Sequence, residues 1–325
     1  MPPTTLYRLL SPAGNKGQLS IFIFHRVLPK ADPLLPFEPS AEQFRWMVRY
    51  FARNYNVLPL SEAARRLQAG TLPAAAAAIT FDDGYADNFH IAWPILQRYT
   101  LPATFFIATA FLDGGRMWND DIIETVRHMP AGDLDLSVFG LGAYNLTDTF
   151  SRIRCYELLL GKLKYFEHGQ REDIAKQIAL RAGLAATSNI MMTRTELKNI
   201  YASGAEIGAH THTHPILEDL PDTEARVEIE RGKYELESIL GSPVRVFAYP
   251  NGAPKRDWSA RHATMVKEMG FEAAVTTEQK LACAASAEIY QLPRFTPWDR
   301  TPLRFAARNL IELWRGRQAA QTSPT

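Results

Sequence analysis

The chain has 325 residues, enough for one large domain or two ordinary ones. Its composition, 46% hydrophobic and 22% charged, is that of a globular protein with a real core. A formal net charge of +1 provides no strong field to draw nucleic acid or an anionic membrane. The two cysteines, Cys155 and Cys283, are distant and in no metal-type spacing. They argue against a disulfide framework or a thiolate-bound metal, and they read as buried thiols.

Residues 1–18 read as an N-terminal extension without the continuous apolar core of a secretory signal. The "IFIF" that follows is too short to span a bilayer, so a cytoplasmic protein with no membrane-spanning segment is expected. Short apolar runs then recur: "LSIFIF", "AAITF", "ATFFIAT", "AEIGA", "VRVFAY", "EAAVTT" and "IYQL". Each is apolar on successive residues, as strands covered on both faces are. Helical patterns separate them. Ser40 precedes a stripe of Phe44, Met47, Val48 and Phe51, and Thr193 with Glu196 makes a capping box before a helix ending at Gly204. Pro221-Asp222 opens another helix, which Gly241 closes. Strand and helix alternating over this length predict a parallel α/β fold. A distorted (β/α) barrel of about seven strands fits the count better than an open sheet.

One segment breaks the alternation. Residues 118–182 read as mostly helix with no buried strand, a helical insertion inside a single barrel domain at 19–315. Residues 316–325 read as a disordered tail.

In such barrels chemistry gathers at the C-terminal ends of the strands. The apolar runs end in His25-Arg26, Asp82-Asp83-Gly84, His210, Pro250-Asn251-Gly252 and Pro293-Arg294. "AHTHTHP" places His210, His212 and His214 within five positions. Adjacent carboxylates repel unless a cation separates them. One carboxylate and two imidazoles are a recurrent zinc set with an open position. Taken singly, Asp-Asp-Gly is also an ordinary turn, and H-x-x-x-H an ordinary helix or loop spacing. Together, each following an apolar run, they point to a metal. The aromatic rings Tyr85, Trp118, Tyr249 and Trp298 fall near the same strand ends, where they could stack on sugar faces or simply pack.

"TFDDGY" followed by "HTHTHP", which contains H-T-x-x-H, resembles the polysaccharide deacetylases with a NodB homology domain, carbohydrate esterase family 4. The resemblance runs from about residue 19 to about 298, with the insertion outside the minimal domain. It implies a distorted barrel that binds a divalent metal, commonly zinc, and removes N-acetyl groups from amino sugars. Asp82 then corresponds to the catalytic base, Asp83 to the metal-binding aspartate, and His210 and His214 to the metal-binding histidines. His212 falls between the ligand positions and matches neither. "FAYPNG" resembles the motif that forms one wall of the groove. Ala248 stands where many members carry arginine, and Asn251 stands where they carry tyrosine. The Asn251 amide would still serve the oxyanion, with Tyr249, Trp118 and Trp298 as further substrate contacts. The family's Leu-x-x-His, source of its general acid, has no counterpart, since "LPRF" has no histidine.

Two residues are candidates for the missing parts. Arg294, just past a late strand, would replace the arginine absent at Ala248 and orient Asp82. His25, ending the first strand, would be the acid, because histidine is the side chain that exchanges a proton near neutral pH. His90, His128, His168 and His262 lie in helical patterns and read as surface groups. The expected partner is an N-acetylated glycan. Removal of formyl from a lipid-linked amino sugar, a non-catalytic glycan-binding barrel and a purely structural zinc site are the alternatives.

Overall fold

The computed structural model describes residues 5–185, 189–284, 288–297 and 299–322. Six parallel strands form the barrel wall: β1 (Gln18–Phe24), β2 (Ala76–Phe81), β3 (Thr104–Ile107), β4 (Glu206–Ala209), β5 (Val246–Ala248) and β6 (Ala273–Val275). They pair in chain order. Residues 292–295 join the two ends of the sheet, Leu292 bridging Val275 of β6 and Phe295 bridging Phe22 of β1. The mixed α/β architecture, a curled sheet wrapped by helices, is the expected one.

Side-chain parity along the strands decides what faces the lumen. Leu19, Ile21, Ala76, Ala78, Val246, Ala248 and Leu292 pack inside, against Phe106. Their neighbours Phe22, Phe24, Ile79, Phe81, Phe247 and Phe295 pack outward beneath the helices. The lumen is narrow. A Cβ on Gly208 would lie 2.4 Å from the Phe106 ring, so a large core ring there requires glycine across from it. Continued past the strand ends, the same parity turns His25, Asp82, His210 and Arg294 inward, over the packed lumen.

The helix starts follow local chemistry. Capping boxes at Ser40 and Thr193 open the helices Ala41–Asn54 and Arg194–Ala202. Gly241, left-handed at φ 66°, closes Asp222–Leu240.

The structure corrects three expectations and adds to a fourth. The insertion is mostly helical, as expected, but not wholly. Between its helices Trp118–His128, Thr149–Leu163 and His168–Arg181 lies an antiparallel hairpin, Gly132–Asp135 with Ala143–Leu146. Only one side chain of each hairpin strand, Leu134 and Leu146, is buried, so no continuous apolar run announced it. "IYQL" is not a strand either. Ile289–Gln291 is a 3-10 turn, and pairing begins at Leu292, just before Pro293 removes a donor. Residues 316–322 of the supposed tail belong to a helix, Pro302–Thr322, seated on the core by Phe305 and Leu313, and 323–325 lie outside the described residues. His262 is buried, not on the surface, its Nδ1 accepting the Ser259 N–H in a capping box. Cys155 is buried and Cys283 half-buried, and both are free thiols. No helix among the described residues is long and apolar enough to cross a membrane.

Candidate active site

The loop after β2 makes the first half of the site. Asp83 and Gly84 both adopt positive φ, 76° and 87°, so the chain turns sharply and the two carboxylates diverge. Asp82 stays on the inward parity of Thr80 and meets Arg294 there. Arg294 Nη1 and Nη2 each donate to one Asp82 oxygen at 2.7 Å, a bidentate pair. Its Nε donates to the Thr276 carbonyl, and Nη1 also donates to Thr80 Oγ1. Arg294 is 0% exposed and Asp82 3%. Burial acts to raise the Asp82 carboxyl, but the Arg294 guanidinium, helped by His210, outweighs it and holds Asp82 below the usual carboxylate range. The guanidinium on Asp82 thus comes not from position 248 on β5 but from residue 294, on the segment that closes the wall between β6 and β1.

The loop after β4 makes the second half. Its turn depends on positive φ at Thr211 and His214, 63° and 56°. Thr211 Oγ1 accepts the His214 N–H, and Glu228 of helix Asp222–Leu240 accepts the N–H groups of His212 and Thr213. That helix can approach because residue 232 is glycine. A Cβ there would lie 2.5 Å from the Thr211 carbonyl oxygen. His210 Nδ1 donates to the Ala248 carbonyl at 2.8 Å, which leaves Nε2 facing Asp83.

The donors Asp83 Oδ1, His210 Nε2 and His214 Nε2 converge. The carboxylate oxygen lies 3.4 Å from one imidazole nitrogen and 3.5 Å from the other. Ligands at ~2.0–2.1 Å around a tetrahedral ion are about 3.3–3.4 Å apart, so the set fits a divalent cation such as zinc. It is also the one cluster among the described residues that could hold a metal. A ligand imidazole must be neutral. Burial and the neighbouring His210 push His214 down to about 3, whereas at His210 burial is outweighed by Asp83 and Asp82, which raise it, so a cation bound there would displace a proton.

His212 turns away, as its mismatch implied, its Nδ1 2.9 Å from Thr109 Oγ1 and 3.3 Å from Glu235. His25 reaches the same cleft. Asn88 donates to its carbonyl, and Asp87 accepts from the Val27 N–H and Arg26 Nε, so the turn after β2 anchors the loop after β1. The cleft encloses about 360 Å³ between these loops and the insertion. Asn251, at φ 58°, and Trp118 line it with the metal-type donors.

Tyr249 is misplaced by the sequence reading. One residue past Ala248, it takes the outward parity, stacks on Trp258 at 4.1 Å and donates to the Tyr290 carbonyl. It contributes to the core and not to the cleft. Trp298 lies outside the described residues. Lys164 and Arg171, both lining the cleft from the insertion, went unnoticed. In a polar helical pattern they are indistinguishable from surface cations. His168 was also misread. Arg171 Nη2 donates to its Nδ1, its Nε2 lies 3.1 Å from Thr213 Oγ1, and Thr213 donates to Glu228. This relay ties the insertion to the histidine loop.

Fold and site together define a class: an α/β barrel whose C-terminal mouth sets an open three-donor metal-type cluster beside a buried carboxylate–guanidinium pair. The profile of the polysaccharide deacetylase family matches residues 69–134 and 174–274, just over half of the chain. The chain belongs to the polysaccharide deacetylase family. The unmatched stretch between the two blocks falls inside the insertion. "Putative polysaccharide deacetylase YxkH" of Bacillus subtilis (strain 168) is 30% identical over 92 residues, 28% of this chain and 32% of that protein. The match therefore spans about a third of that relative. IcaB from Ammonifex degensii superposes with a TM-score of 0.59 at 18% identity, covering 94% of this chain and 98% of that one. Streptococcus pyogenes deacetylase PplD, in complex with acetate, gives 0.58 at 18% identity, covering 86% and 92%. At that identity both likenesses speak for the fold.

Proposed function

We propose that the chain is a divalent-metal-dependent hydrolase that removes N-acetyl groups from an amino-sugar-containing glycan. The observation that carries this reading is the ionised, clamped Asp82 beside the open Asp83–His210–His214 cluster, inside one cleft. A cation held by those three donors would supply Lewis acidity to the amide carbonyl and to water. Asp82 takes the proton of the attacking water, and Arg294 keeps that carboxylate oriented and charged. The Asn251 backbone N–H, on the facing wall, donates to the developing oxyanion; one such donor is typically worth about 3 kcal/mol. Trp118 offers a ring face to the sugar. His25 protonates the leaving amine, without which the tetrahedral species collapses back to amide. A barrel that only bound glycan would have no use for a general base beside the metal-type donors.

Incubation with N-acetylated glycans, with and without chelator, should release amine and acetate only in the metal-replete sample. Retained activity after complete metal removal would overturn the reading. Asp83→Ala and His214→Ala should each lose zinc and activity together, since two donors remain of three. Zinc at one equivalent per chain in either variant would remove that residue from the ligand set.

His25→Ala separates the acid from the rest of the machinery. Amide hydrolysis should slow by about 10²–10⁴-fold. Hydrolysis of an activated acetate ester, whose leaving group needs no proton, should change far less. Equal losses on both substrates would show that His25 is not the acid.

A further inference from the structure

Arg171 presents an electrostatic problem that the deacetylation reading leaves unsolved. It is 2% exposed, yet no carboxylate among the described residues pairs with it. Its Nη2 donates to the neutral face of His168, its Nη1 only to the Lys164 carbonyl at 3.4 Å, and its Nε has no partner. The guanidinium lies 5.0 Å from the centre of the Trp118 ring and lines the cleft. Lys164, on the same wall, has an ammonium 4.0 Å from Asp257. Asp257 already accepts from the Ala253 N–H and from Arg256, so it leaves Lys164 largely uncompensated. Buried charges are normally paired. Glu172, Asp219 and Glu167 act on Arg171 only at longer range. Two cations on one wall of a substrate cleft, one of them buried with an unsatisfied donor, call for a directly contacting negative charge that the described residues do not supply.

We infer that the insertion builds an anion subsite, Arg171 with Lys164, and that the substrate is an N-acylated saccharide bearing an oxyacid group, a phosphate ester or a uronic carboxylate. The inference rests on the deacetylation reading and narrows its substrate class. Trp118 bridges the two regions, its ring between the anion subsite and the sugar. Both Arg171 and the histidine loop anchor on the His168–Thr213–Glu228 relay, so the anion is held at a fixed distance from the reacting amide.

The test compares the metal-replete protein on N-acetylglucosamine 1-phosphate, N-acetylglucosaminuronic acid and the neutral methyl glycoside of N-acetylglucosamine, reading freed amine. The kcat/KM ratio of an anionic over the neutral substrate should be about 10–100-fold, the worth of one charge-assisted contact. Arg171→Gln and Lys164→Gln should each reduce that ratio, and Arg171→Lys should restore part of it, which a purely structural arginine would not allow. Enhancement by phosphate alone or by uronate alone identifies the group. A wild-type ratio near one, or a ratio unmoved by both substitutions, overturns the inference. If none of the three sugars releases amine, the parent reading is judged separately, by the glycan and chelator experiment above. The subsite is then judged by calorimetric titration with the phosphate ester against the neutral glycoside, where equal affinities overturn it.

Discussion

Asp82→Asn is expected to lower turnover by about 10²–10⁴-fold, the usual worth of a general base, while one metal ion per chain remains bound. The split follows from geometry. Asp82 sits 4.0 Å from His210 Nε2 and spends both oxygens on Arg294, whereas Asp83 is the carboxylate in contact with both imidazoles. An amide matches the shape of the carboxylate and cannot accept the proton of water. Zinc content by mass spectrometry and amine release by single-turnover assay check the two halves separately. Near-normal turnover would dismiss Asp82 as base, and loss of zinc would make it a ligand. The substitution also strands the Arg294 charge, so rates belong well below the unfolding midpoint.

Arg294→Met is expected to destabilise the fold by about 3–5 kcal/mol near neutral pH, because it leaves a buried carboxylate without its partner. The pH dependence has a definite sign. In the native chain the Asp82 pKa is depressed, so the pair stabilises above the unfolded carboxyl range and its contribution fades as pH falls through the folded value. Without the guanidinium, burial is the main influence left, and it raises Asp82. The variant therefore regains stability as pH falls and Asp82 takes a proton. The acidic limb of its pH–rate profile moves to higher pH for the same reason. Denaturant unfolding at neutral and mildly acid pH reads the first effect, and kcat/KM against pH reads the second. Asp82→Asn with Arg294→Met together should recover much of the stability and none of the activity. A single Arg294→Met variant as stable as the parent, with its acidic limb unmoved, would show that the pair does neither job.

Much of the site was legible in the residues. Asp82-Asp83 and His210-x-x-x-His214 stand directly after apolar runs, and a strand's end is a local property that survives folding. His25 was reachable by the same logic, and Arg294 was reached through "IYQL", whose first three residues form a 3-10 turn and whose pairing begins only at Leu292. Tyr249 went wrong for a reason that parity explains. Ala248 faces the lumen, so its neighbour must face the helices, but parity becomes readable only once the register of β5 is known. The hairpin of the insertion escaped because each of its strands buries a single side chain.

By itself the sequence determined the alternating α/β order, the capped helix starts and the residue types at the strand ends, all set by neighbours within a turn or two of chain. Only the tertiary structure decided which of those ends converge. The bond from Arg294 to Asp82 spans 212 residues, and it exists because residues 292–295 bring the last wall of the barrel back to the first. The cationic roof was decided there as well. Arg171 and Lys164 are ordinary helix cations until the packed insertion removes water from the guanidinium and turns both toward the cleft. Burial and partnership are pairwise, long-range properties, and local sequence pattern does not encode them.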